Sequence, residues 1–337
     1  MRFTDKYVLV SLALIVFFQS GVFAQPAPEN FSPAETVKRL QTRPTKENLT
    51  AARKIGFALI GENKFEQSEY VFSEILKKFP ADGWSLYGNA IGLFNLKQYE
   101  EAESEAAKAE NVFGKQKNNV ALADVLVLSA VITAVTGINA EAIEKLKKAV
   151  ALVPTHFDAN FSLGRAYFGS GDLAASIAAF RAALKQQPRN VKANFFLASA
   201  LERDGDTTNA LNIYRELVKI SPAFAEGYLG LGVLLIKTDG ENSSEGLENL
   251  RKAVEINSNL YEAQVTLGKA LLRQNKTEEA LIYLQKAVEL LPDNPEPHYQ
   301  LLQVFRKLGK KSEAETEQSI IKKIHENHRG SSAPPVQ

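Results

Sequence analysis

From about residue 49 to about residue 328, apolar side chains recur at steps of three and four, break at a short polar turn, and then resume. Apolar runs with this spacing, each closed by a turn, predict pairs of amphipathic helices. The pattern returns every 34 residues. In 157–190, Leu163 and Gly164 hold the seventh and eighth positions, Tyr167 the eleventh and Gly171-Asp172 the turn. Ser176, Phe180, Ala183 and Pro188 follow at positions 20, 24, 27 and 32. Residues 191–224 repeat this with Leu197, Ala198, Leu201, Gly205, Ala210, Tyr214 and Pro222. Residues 261–294 give Leu267, Gly268, Leu271, Ala280, Leu284, Ala287 and Pro292. Small residues at positions 8 and 20 predict where two helix backbones come closest. Proline at position 32 stands where a residue without an N–H ends the second helix at little cost.

This register resembles the tetratricopeptide repeat family over roughly five-sixths of the chain. The resemblance implies an all-α, right-handed superhelical solenoid of about eight helix-turn-helix repeats, at 49–82, 83–116, 123–156, 157–190, 191–224, 225–260, 261–294 and 295–328. In such an array each repeat buries its face only against its neighbours. Some repeats depart from the pattern. Repeat 83–116 has Gly114 near the place of the proline, and six residues separate it from the next. Trp84 misses the family's tryptophan position, where Leu86 stands. Two extra residues around Asp239-Gly240-Glu241-Asn242 predict a longer turn in 225–260. Polar Gln318 replaces the usual aromatic in the last repeat, as a solvated terminal cap requires.

The flanks have different patterns. Residues 1–24 read as a secretory signal: Arg2 and Lys6, an apolar stretch from Tyr7 to Phe18, then Val22-Phe23-Ala24 before a cleavage point. Left uncleaved, the same segment would be a membrane anchor; both readings put the repeats outside the cytoplasm, periplasmic or secreted. Residues 25–48 form a proline-containing arm. Within it Ser32-Pro33-Ala34-Glu35 predicts a capped helix from 33 to about 42, placed to cover the open end of the first repeat. Residues 329–337 read as a disordered tail. Ala121 to Thr136 is nearly all apolar but short and carries Asp124, which predicts a helix buried on all sides rather than a membrane span.

Composition narrows the chemistry. The formal charge of +1 falls to zero when Arg2, Asp5 and Lys6 leave with the signal, and no basic footprint for nucleic acid is present. Without cysteine there is no thiolate metal site, thiol catalysis or disulfide. No phosphate loop, HExxH or GxSxG motif occurs. The spacing of His325 and His328 lacks a third ligand, and His156 reads as a turn residue. The expectation is a protein that is not an enzyme and needs no cofactor or metal. Asn30, Asn48, Asn242 and Asn275 begin Asn-x-Ser/Thr triplets, which matter only in a eukaryotic secretory route.

In the resembled family, positions 2, 5, 9, 12 and 13 of each first helix face a concave groove. Carried over, this implies a candidate partner-binding row at position 5: Val127, Phe161, Phe195, Leu229, Val265 and Tyr299. Val131, Arg165 and Lys269 stand at position 9, and Arg203 and Arg273 at position 13. An apolar floor with cations at its rim suits a protein or peptide ligand with apolar anchors and acidic groups. Position 5 is equally suited to packing between neighbouring first helices. The family's carboxylate clamp of Lys and Asn is not found in register. The expected function is an exported scaffold or adaptor binding a protein or peptide, within a cell-envelope or secretion assembly. The alternatives are a binding module for an acidic glycan or peptidoglycan fragment and a self-associating structural protein. Membrane contact is expected only if residues 1–24 stay attached.

Overall fold

The computed structural model describes residues 32–137, 139–240 and 243–330, without the side chains of 328–330. The signal, the first residues of the arm, and residues 241, 242 and 331–337 lie outside them. Among the described residues there are seventeen helices and no strands. The chain divides into two compact units, residues 1–193 and 194–337.

The N-terminal unit starts with α1 (Pro33–Thr42), capped where the sequence predicts: Ser32 Oγ accepts from the Glu35 amide, and proline occupies the first turn. Val37 and Leu40 are buried as α1 packs on α2 (Lys46–Gly61) and α3 (Phe65–Lys78). Then come α4 (Gly83–Asn95), α5 (Tyr99–Lys115), α6 (Asn119–Val135), α7 (Asn139–Leu152), α8 (Phe157–Ser170) and α9 (Leu173–Gln186). Helix α10 (Val191–Asp204) contains the division in its first turn. The C-terminal unit continues with α11 (Thr207–Ile220), α12 (Ala225–Asp239), α13 (Ser244–Ile256), α14 (Tyr261–Arg273), α15 (Thr277–Leu290), α16 (Pro295–Lys307) and α17 (Lys311–Gly330).

Two packing rules recur in each unit. Outside α10, where the two units divide, second helices pack on the first helix of their own repeat and on the next first helix. The first helices also touch one another: α2 with α4, α4 with α6 and α6 with α8, then α12 with α14 and α14 with α16. The close crossing within a repeat falls at positions 8 and 20, as predicted. Ser68 Oγ donates to the Gly56 carbonyl (3.0 Å), and Ser176 Oγ to that of Gly164 (2.8 Å). Phe180, fully buried, lies on Gly164 so closely that a Cβ there would stand 2.7 Å from its ring.

The turns also obey one rule. Position 15 is left-handed in repeat after repeat: Asn63, Lys97, Gly137, Gly171, Gly205, Asn275 and Gly309 have φ between 57° and 96°. The lengthened turn of 225–260 moves this role to Gly240, with φ 89°. At the spacer of residues 117–122, a left-handed Lys117 and the Asn118 cap join α5 directly to α6. Those six residues are therefore a tight turn and the first turn of a long helix rather than a loop. From Ala121 onward helix α6 is buried almost all round, while Val120 in its first turn is exposed. At the other end Ala314, Ile321 and Ile324 of α17 are buried while Gln318 faces solvent.

Two substitutions test this packing in chemical denaturation followed by circular dichroism. Gly164→Ala will destabilise the protein by about 1–3 kcal/mol by overpacking, despite the better helix propensity of alanine. Gly169→Ala, on the same helix but with nothing within 4 Å of the new Cβ, will be neutral or stabilising by up to about 1 kcal/mol. Lys97→Gly relieves a left-handed lysine and will stabilise by up to about 1 kcal/mol.

Candidate functional site

In the N-terminal unit, the face formed by α4, α6 and α8 is largely filled by its own side chains. Val127 and Phe161, expected on a groove floor, are only 2% and 4% exposed, and Val131 is half-buried. Phe161 stacks on Phe157 at 5.7 Å and tilts against Phe180 at 5.9 Å. Arg165 lies 5.9 Å over the Phe161 ring, and burial lowers its pKa to about 10, which leaves it charged at neutral pH. Tyr87 holds the matching position of α4 and is buried as well. In this unit the position-5 side chains of α4, α6 and α8 are buried in internal packing.

The same face carries a polar cluster. Asp124 of α6 is buried, and His156 Nε2–H donates to its Oδ1 at 3.1 Å. The other ring nitrogen, Nδ1, accepts from the Ala159 amide (3.2 Å), which makes His156 the cap of α8. Asn160 Nδ2 braces the turn on the carbonyls of Pro154 and His156, each at 2.9 Å. The turn role read from the sequence is real; the bond to Asp124 was missed. Its signal was there, because Asp124 and Asp158 share position 2 in consecutive repeats. A second network ties α5 to α6 and α7: Lys145 Nζ donates to Glu103 Oε1 (2.6 Å) and Thr133 Oγ1 (2.8 Å).

The C-terminal unit is more open. Phe195 and Leu229 are half-buried, Val265 is buried, and Tyr299 is 43% exposed. Phe195 is held edge-on by Tyr214 and Phe224, with centroids 6.2 and 5.5 Å away. Tyr299 shares a hydrogen bond with His325 of α17 (2.9 Å). Exposed cations recur at position 13 as Arg203, Lys237, Arg273 and Lys307. Lys307 Nζ donates to Asn275 Oδ1 (2.8 Å) and reaches the Leu272 carbonyl (3.4 Å), so it also caps the carboxyl end of the preceding first helix. Lys269 is half-buried and bonded to Glu296 at 2.8 Å, which commits its charge within the protein. Burial raises the pKa of Glu202, and the charge of Lys237 opposes that rise.

The exposed second-helix surface is stitched by ion pairs from one repeat to the next. Arg215 of α11 bonds both oxygens of Glu245 on α13, and Arg251 of α13 bonds Glu279 on α15. Among the described residues no three His, Asp or Glu side chains come together in a way that would hold a metal ion. No described helix is long and apolar enough to cross a membrane.

Comparison with known proteins identifies the repeat. Tetratricopeptide repeat family models match residues 136–181 and 161–225, and another matches 261–294. No curated protein matches in sequence. Among solved structures, the C-terminal part of a TPR repeat-containing protein from Cytophaga hutchinsonii superposes with a TM-score of 0.56 at 16% identity. The match covers 74% of this chain and 99% of that one. YrrB, a TPR protein with an unusual peptide-binding site, gives a TM-score of 0.47 at 19% identity over 57% of this chain and 95% of its own. MamA gives 0.46 at 19% identity over 54% and 98%. At these identities the likeness concerns the fold alone. Taken with the helix pairs and the recurring left-handed turn, the matches show that residues 136–225 and 261–294 are tetratricopeptide repeats.

Proposed function

We propose that this chain is an exported, non-catalytic scaffold that holds an extended or helical segment of another protein on the first-helix face of its C-terminal unit. The observation that carries this reading is the contrast between the units. At position 5 the N-terminal unit buries Val127 and Phe161, whereas the C-terminal unit buries Val265 but leaves Phe195 and Leu229 half open and Tyr299 exposed. Exposed Arg203, Lys237, Arg273 and Lys307 recur beside that row. Apolar anchors would supply the affinity and the cations would select acidic neighbours. Export rests on residues 1–24: a charged start, an apolar stretch and small residues at Val22 and Ala24. That segment supports a periplasmic or secreted site, and a repeat scaffold there would suit an envelope or secretion assembly.

A peptide library with spaced apolar residues and variable charge, screened against residues 25–337, will enrich acidic sequences. Lys237→Glu combined with Arg273→Glu will weaken the selected peptides at least about tenfold, a loss of roughly 1.4 kcal/mol, without changing helicity. Affinity will also fall as salt rises. Binding that ignores the charge reversal would remove this face from consideration. Binding of uronic-acid oligosaccharides in place of peptides would make the ligand an acidic glycan.

A further inference from the structure

We propose that Asp124, His156 and Asp158 form a proton-uptake site that tightens the junction between α6 and α8 in mild acid. The geometry makes His156 a two-sided contact. Its Nε2–H donates to Asp124 on α6, and its Nδ1 lone pair accepts the Ala159 amide at the start of α8. Only the neutral ring with its proton on Nε2 makes both bonds. Asp158, in the first turn of α8, is half-buried on the same face. The cluster therefore sets two carboxyl groups around one imidazole where little water reaches.

Protons relieve this arrangement. Burial pushes the Asp158 carboxyl up to about 6; nearby His156 opposes the rise and the Asp124 charge adds to it. Burial disfavours charge on His156, but the hydrogen bond and charge of Asp124, helped by Asp158, outweigh it and raise the pKa above 6.5. Tyr87, reaching in from α4, is kept protonated by burial and by the two aspartates, so it adds no charge. Helices α7 and α9 also pack on α8; the charges that act on the imidazole and on Asp158 are those of Asp124 and of each other.

Both folded-state values lie above their unfolded ones. Such groups contribute stability in acid and lose it as pH rises through the folded value. For Asp158 that loss runs from near 4 to about 6; for His156 it continues above 6.5. When His156 takes up its proton, Nδ1 can no longer accept the Ala159 amide, so one capping bond is exchanged for a charged pair with Asp124. The positive end of the α8 dipole also favours an ionised Asp158, more weakly than burial opposes it. The site is thus a device in which falling pH removes the net negative charge of the Asp124–His156–Asp158 cluster and binds α8 more firmly to α6.

The test uses the whole protein with ¹⁵N-labelled histidine, whose four ring systems are assigned with His156→Gln. At pH 7.5 His156 will show the Nε2–H tautomer, and it will titrate above 6.5. In parallel, melting is followed from pH 7.5 to 5.5 for the wild type and for Asp158→Asn, which keeps the side-chain shape. The melting temperature of the variant will exceed that of the wild type by about 3 °C or more at pH 7.5, and the gap will close toward pH 5.5. A constant gap, or a variant that melts lower at pH 7.5, would overturn the proposal. So would a His156 ring found as the Nδ1–H tautomer or titrating below 6.5.

Discussion

The close crossing of two helices inside each repeat is the constraint on which the rest depends. In all but the last repeat a glycine or alanine at position 8 and a small residue at position 20 let the backbones approach, and in most a large side chain at position 24 closes the space beside them. Phe180 does this over Gly164, and Leu284 over Gly268. Because packing density is high, one added methyl is felt by everything that touches the ring. The hydroxyls of Ser68 and Ser176 fasten the crossing by bonding a carbonyl across it. The crossing in turn sets where the first helices meet one another, and so which residues can reach solvent on their face.

The same repeat plan has been used in two ways. In the N-terminal unit, α4 and α6 are apolar on nearly every side, and the positions that could meet a partner are spent on internal packing. Long α5 and α6, joined by the Lys117–Asn118 turn, belong to this closed arrangement, and Lys145 adds a polar tie between them and α7. In the C-terminal unit α14 and α16 are more amphipathic. Charged residues appear at the ends of this unit's first helices, as Glu226, Glu262 and Glu296 in first turns and Arg273 and Lys307 in last turns. These charges complement the helix dipoles as well as colouring the surface. A cation there has a structural task even before a partner arrives, as the bonds of Lys307 and Lys269 make plain.

Much of the fold was legible in the sequence because it is local. Ser32 and Pro33 announced α1, Gly164 and Ser176 announced the crossing, and the run from Ala121 to Thr136 announced a fully buried helix. Residues 117–122 were harder to read, because a left-handed lysine carries no glycine or proline to mark the turn. The site was less legible. Residue type and register place Val127, Phe161, Val265 and Tyr299 on the same row, but how much of each reaches solvent depends on the neighbours' size and spacing. Leu229 and Val265 are alike as letters and differ in burial. The bond from His156 to Asp124 joins residues 32 positions apart, within reach of the repeat period but invisible to any local motif.

The packing of each helix mainly on its nearest neighbours has a kinetic side. Contacts that close over one or two repeats involve short loops, so each costs little chain entropy to form. Folding can begin at any repeat whose crossing forms first and spread outward from it. The described residues hold no distant strand to be found, and no disulfide has to be matched, since the chain has no cysteine. Damage should follow the same route. A disrupted crossing unravels its own repeat and those it touches, while helices several repeats away keep their structure.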